Sequence, residues 1–379
     1  MRYLILVIST LLLLPGCAFK ATRLERVTTA EFDQVLAGDT LVLGDHQAEK
    51  LPEADLFGMS VAMKQFVDMT VAGLGSEDEK IRALLEAVLS PGRLGVKYDD
   101  SATYTASEAF QQRRVNCLSF TIMMVTMLRY LGMDVAFNQV EVPPIWDLQG
   151  ESLVLSQHVN ALVTKSYGAK KIIDINLREY ELYYPQRTID DRVIAALYYN
   201  NRGMESMLAG EVRQSFLNLH QALKLAPELP YIWTNLGTLY RERGRLSEAE
   251  IAYRLALQRE PGNLIAISKA QRNYTDLGDV RMAEYFRQRA VLFREKNPYY
   301  HYARAKDEVL RGDYSGALAD IQVAISMYKK EHRFFFLQGV IYSALTDRGR
   351  ADASFKKALE LTASQQQQEA YRRKMEKLI

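Results

Sequence analysis

Hydrophobic positions change character along the chain. A largely apolar run from Leu4 to Leu14, preceded by the basic residue Arg2, is too short for a relaxed bilayer span and reads as a signal peptide over residues 1–16. From about 31 to 192, helical and strand periods alternate, which predicts one α+β domain behind a linker over 17–30. Within it, the pattern predicts a helix over 58–73. A second runs from the capping box Ser76-x-x-Glu79 to Leu89 and stops at Pro91-Gly92, and a short third opens at Thr105-x-x-Glu108. Asn116 is a good N-cap and Gly132 a good stop for the segment between them, which is apolar on nearly every face and therefore a buried central helix. SQHVNALVT and KKIIDIN flank Lys165-Ser166-Tyr167-Gly168 as the arms of a hairpin. Folded symmetrically about Ser166, that hairpin sets His158 opposite Asp174.

Beyond residue 195 the period becomes 34. Ala249, Ala283, Ala317 and Ala351 form one column, and Ala256, Ala290, Ala324 and Ala358 a second, seven positions later. Between 230 and 263, Trp233, Leu236, Gly237, Tyr240, Gly244, Tyr253 and Pro261 join two of those alanines in a pattern that resembles the tetratricopeptide repeat. The same register predicts repeats at 196–229, 264–297, 298–331 and 332–365, and the sparsely apolar segment 366–379 is expected to close the array as a capping helix. Small residues let paired helices approach while aromatics fill the gaps, so these positions are core. Arg287 stands where the second-helix aromatic is expected and Glu308 where a first-helix Tyr is expected. The resemblance implies a curved all-α solenoid with a groove for a protein or peptide partner.

Composition narrows the chemistry. Lys and Arg total 48 against 46 for Asp and Glu, a net charge of +2 that offers no broad basic field for nucleic acid. Two cysteines, Cys17 and Cys117, are too few for a disulfide scaffold or a four-thiolate zinc site. No His, Asp or Glu pair has metal-ligand spacing on a shared helix face, and no glycine-rich loop resembles a phosphate cradle, so no cofactor or metal is expected. Leu14-Pro15-Gly16-Cys17 resembles a bacterial lipobox, which implies a mature chain beginning at an acylated Cys17 and anchored in the cell envelope. Ala18, where inner-membrane lipoproteins often carry Asp, favours the outer membrane, facing the periplasm.

Cys117 falls in the first turn of the central helix, where backbone N–H groups and the dipole favour a thiolate and an oxyanion. His220, His301 and His332 fall inside the repeats, leaving His46 and His158 as candidate bases. Cys117 as nucleophile, His158 as base and Asp174 as its orienter supply the residue types that acyl transfer requires. Read singly, Cys117 fills the core, His158 is a satisfied sheet histidine and Asp174 an edge-strand charge.

From Thr105-Ala106 through Arg114-Val115-Asn116-Cys117, the apolar helix ending Leu131-Gly132, the strand from Asp134 to Val142, His158 and Asp174, the order and spacing resemble the transglutaminase-like superfamily with its papain-like fold. Val115-Asn116 departs from the Gly and the acidic or polar residue common there. The resemblance covers about 60–185 and implies Cys117, His158 and Asp174 as catalytic triad. Gln111 or Gln112 is a candidate second oxyanion donor, and Trp146 either lines a groove or packs on the sheet. The expected protein is a lipid-anchored periplasmic cysteine peptidase, amidase or acyltransferase whose repeats bind a protein partner or substrate. The alternative is a catalytically silent lipoprotein scaffold for an envelope complex.

Overall fold

The computed structural model describes residues 24–41, 50–142, 145–146, 153–154, 157–175, 184–362 and 365–375. The signal segment, Cys17 and His46 lie outside these residues. Helix α1 (Thr29–Ala37) opens on a capping box between Thr28 and Glu31. Ser60 caps α2 (Val61–Val71), inside the expected 58–73, and the Ser76–Glu79 capping box opens α3 (Glu77–Leu89). Strands β1 (Lys97–Tyr98) and β2 (Arg114–Val115) pair in parallel around α4 (Ala106–Gln112), which starts at the Thr105–Glu108 box. The central helix α5 (Cys117–Tyr130) follows, buried from Leu118 to Leu128.

The sheet behind α5 is antiparallel. It consists of β3 (Asp134–Glu141), β6 (Gln157–Thr164), β7 (Lys170–Ile173) and β8 (Gln186–Ile189) in the order β7-β6-β3-β8. A separate ribbon pairs β4 (Ile145–Trp146) with β5 (Leu153–Val154). Val135, Phe137, Val159, Ala161, Val163 and Ile173 belong to the same buried cluster as α5. These residues alternate along their strands, so one sheet face is apolar.

The hairpin register corrects the symmetric fold about Ser166. Observed pairs are Ala161 with Ile173 and Thr164 with Lys170, which centres the turn on Tyr167. Gly168 takes the positive φ (86°) that closes a three-residue loop, and the Lys165 N–H donates to the Ala169 carbonyl at 2.8 Å. Extended past Ile173, this register brings Asp174 opposite Asn160, and His158 pairs with Val140 of β3. The displacement is two residues, so the period-two pleat keeps Asp174 on the face that carries His158, as its diagonal neighbour. Asp78 at the start of α3 holds the turn through Lys165 at 2.8 Å and Lys171 at 3.3 Å.

The second half consists of paired helices: α6 (Asp191–Leu208) with α7 (Val212–Leu225), α8 (Pro230–Glu242) with α9 (Leu246–Arg259), α10 (Leu264–Asp276) with α11 (Val280–Glu295), α12 (Pro298–Leu310) with α13 (Tyr314–Met327), and α14 (His332–Ala344) with α15 (Arg348–Leu361). The first pair opens ahead of the expected 196 because Asp190 caps it. Both alanine columns are buried from α9 onward except Ala283, which is half-buried. A Cβ on Gly237 would meet the Tyr253 ring at 2.6 Å, so only glycine permits this approach of α8 to α9. Helix α16 (Gln365–Met375) covers the end, with Tyr371 stacked on Phe336 at 4.0 Å and its hydroxyl 2.6 Å from His332 Nδ1.

Both expected departures are absorbed by packing. Phe286, one position before Arg287, is fully buried and stacks on Tyr274 at 5.4 Å, while Arg287 turns out to pair with Glu284. Glu308 sits beside Arg304, which reaches Asp320 at 3.0 Å; burial, and then Asp320, raise its carboxyl above the ordinary range.

Helix α1 spans the expected boundary between linker and domain and packs on the repeats. Phe32 meets Trp233 at 5.5 Å between ring centres, the Tyr240 hydroxyl donates to the Val35 carbonyl at 2.7 Å, and Arg254 pairs with Glu31. Farther along, Tyr199 of α6 accepts from the Ala54 N–H at 2.8 Å. One buried cluster accordingly runs from Val35 through α5 and the sheet to Ala290.

Candidate active site

Cys117 occupies the first position of α5 because Asn116 ends the extended segment before it. The Asn116 side chain accepts from the Ser119 N–H at 2.8 Å and donates to the Thr103 hydroxyl at 2.8 Å, fixing the cap both to its helix and to the loop between β1 and α4. Ser119 adds a second tether, donating to the Ala102 carbonyl at 2.9 Å and accepting from the Tyr104 N–H at 2.7 Å. The N–H groups of Cys117 and Leu118 lie in the first turn, where no intrahelical acceptor exists, and are suited to an oxyanion. Cys117 is partly exposed.

His158 Nε2 lies 2.5 Å from Asp174 Oδ2, and both side chains are only 1% exposed. Cys117 lies beside the imidazole and favours its charged form. With Nε2 committed to the carboxylate, Nδ1 is the nitrogen left for the thiol. Burial opposes charge on the ring and is the largest single influence, but the hydrogen bond and charge of Asp174, with Cys117 nearby, outweigh it and push His158 up to about 10. The structure therefore brings the three sequence-nominated residues together in the chain thiol, imidazole, carboxylate.

The same face holds further buried polar groups. Asn138 donates to Asn160 and to Gln186, both at 2.9 Å, so polar side chains continue from β6 across β3 to β8. Thr121, one turn after Cys117, donates to the Cys117 carbonyl at 2.8 Å and the Val159 carbonyl at 2.9 Å. Reading α5 as apolar passes over Ser119 and Thr121; their signal is two hydroxyls two residues apart within its first two turns. Gln111 and Gln112 are exposed, and Gln111 lines a cleft with Phe66, Thr70 and Arg93 that includes none of the three site residues. Trp146 falls in β4.

A larger cleft of about 830 Å³ opens where the ends of β3 and β8 meet the repeats, with Val140, Tyr184, Arg187, Tyr231 and Tyr299 in its wall. Val140 is the cross-strand partner of His158, so their side chains share one sheet face, although none of Cys117, His158 and Asp174 lines this cleft. Among the described residues no cluster of His, Cys, Asp and Glu is arranged to hold a metal ion, and no helix is long and apolar enough to cross a membrane.

Residues 230–263 and 332–365 match family models described as tetratricopeptide repeat. The C-terminal half is a tetratricopeptide-repeat region. A curated relative, anaphase-promoting complex subunit 3 of Schizosaccharomyces pombe, is 24% identical over 153 residues, covering 40% of this chain. The chain spans only 23% of that relative's length. Solved structures similar to the tetratricopeptide-repeat region include a MamA protein, at 19% identity over 44% of this chain and 91% of that one, with a TM-score of 0.26. Another is YrrB, described as a TPR protein with an unusual peptide-binding site, at 18% identity over 47% and 92% of the two chains and a TM-score of 0.25. The tetratricopeptide repeats imply a protein or peptide partner.

Proposed function

We propose that this protein is a cysteine enzyme that cleaves or transfers amide bonds through a thioester, and that its repeats bring the substrate protein or a partner to it. The observation that carries this reading is the buried imidazole of His158, held at 2.5 Å by Asp174, with Cys117 beside it at the start of α5. Cys117 Sγ attacks the amide carbonyl carbon, and the electron pair of the carbonyl π bond moves to oxygen, where the first-turn N–H groups of α5 receive it. Collapse of that intermediate breaks the C–N bond; the proton taken from the thiol passes from His158 to the leaving amine. Water or an amine then attacks the thioester, yielding an acid or a new amide and returning the proton to sulfur. Asp174 keeps the ring oriented and stabilises its charged form.

The order of residues from Thr105 to Asp174 is similar to that of transglutaminase-like enzymes, and this similarity supports the same reading. Cys17, in its lipobox context, is proposed to carry the lipid that holds the protein on the periplasmic face of a bacterial outer membrane.

The test is iodoacetamide alkylation of Cys117, followed by mass spectrometry of its peptide, in the chain from Ala18 onward. At pH 6 the parent reacts about 100-fold faster than His158→Ala, a factor typical of an activating base. Equal rates would discard the enzyme and leave a scaffold whose work is done by the repeats.

A further inference from the structure

The thiol and the imidazole come from different elements, and the acyl-transfer reading requires them to stay in register. Packing between α5 and β6 is apolar on the facing sides and fixes depth, but dispersion contacts are non-directional and permit sliding. A directional contact is needed where the chemistry is. Thr121 supplies one. Its side chain is buried, and its single hydroxyl proton is shared between the carbonyl of Cys117, at 2.8 Å, and that of Val159, at 2.9 Å. One of these carbonyls belongs to the nucleophile and the other to the neighbour of the base. Both can only accept, so the hydroxyl must donate to both.

We infer that Thr121 is a positioning residue that locks the Cys117 turn of α5 to the His158 strand. This inference rests on the acyl-transfer reading. Thr126, farther along the same helix, makes an internal control: its buried hydroxyl donates to the Ile122 carbonyl at 2.8 Å, a bond within α5.

The experiment measures Cys117 alkylation from pH 5 to 9 in the chain from Ala18 onward, comparing the parent, Thr121→Val, Thr121→Ser and Thr126→Val, each with and without His158→Ala. Thr121→Val removes the proton at nearly constant shape. It is expected to slow alkylation at pH 6 by about tenfold and to shrink the effect of His158→Ala by the same factor, the scale of one lost orienting hydrogen bond. Thr121→Ser restores the parent profile to within about twofold, and Thr126→Val leaves it unchanged. If Thr121→Val does not fold, Thr121→Ala, which leaves room for water at both carbonyls, takes its place with the same expectation. A Thr121 variant that alkylates like the parent with its His158 dependence intact overturns the inference while the acyl-transfer reading stands, as does an equal loss in Thr126→Val. A parent that shows no His158 dependence removes both.

Discussion

In the repeats, residues that touch recur every 34 positions and meet the next turn of the same motif, as Gly237 meets Tyr253 and Gly339 meets Phe355. Around Cys117 the residues that touch have no period. The thiol comes from a helix start, the imidazole from β6, and the carboxylate from the end of β7, and a loop centred on Tyr167 decides which residues of the last two are neighbours. The repeat half is stabilised by small residues and aromatics whose burial is indifferent to pH. The other half buries a His158–Asp174 pair and an Asn-Asn-Gln row on one sheet face, where every polar group needs its partner. A packed solenoid tolerates an exchange such as Phe286 for an aromatic at 287, whereas the site depends on individual atoms.

The two halves nonetheless share one buried cluster, and this is where the comparison is most easily broken. Trp233 is fully buried, lies against Phe32 of α1 and donates its ring N–H to the Pro227 carbonyl at 2.8 Å. Trp233→Ala should destabilise the chain by about 3–5 kcal/mol. Urea denaturation followed by far-ultraviolet circular dichroism and by Cys117 accessibility should show both signals moving together. Separate transitions would mean that the halves are energetically independent despite their shared core.

A smaller effect concerns pH and sharpens the contrast. The folded pKa of His158 is raised from 6.5 to about 10, so its charge-assisted bonds contribute fully below about 6.5 and are lost as pH rises through about 10. His158→Gln should therefore be less stable than the parent at pH 6 by about 2 kcal/mol, the scale of a hydrogen bond to a charged group, with the gap closing toward pH 10. Parallel urea midpoints across that range would show that the site adds no proton-linked stability.

The smallest effect expected is at Arg287. Its exposed pair with Glu284 is screened by solvent, so Arg287→Ala should leave the melting temperature within about one degree of the parent. A fall of several degrees would mean that the third repeat depends on this pair and not on the stacked Phe286.

Capping boxes at Ser76 and Thr105, the Asn116 cap and the alanine columns are legible in sequence because each acts within one helix or between adjacent ones. The docking of α1 across the repeats is not legible. Its expected boundary at 30/31 rests on composition, while its position rests on Phe32, Val35 and Glu31 finding partners in residues 233 to 254. The hairpin lies between these cases. Alternation specifies which face His158 and Asp174 share, because a one-residue slip would invert it, but a two-residue slip leaves every side chain on its own face. Gly168, with its positive φ, chooses between those registers.

Sequence by itself therefore determined the residue types, their faces and the element that carries each, since periodicity and caps are local properties of the chain. Tertiary structure alone decided that Asp174 reaches His158 as a diagonal neighbour, that Nε2 is the nitrogen it takes, and that Thr121 bridges the carbonyls of Cys117 and Val159. Those facts depend on distances between elements, which are set by how the whole core packs.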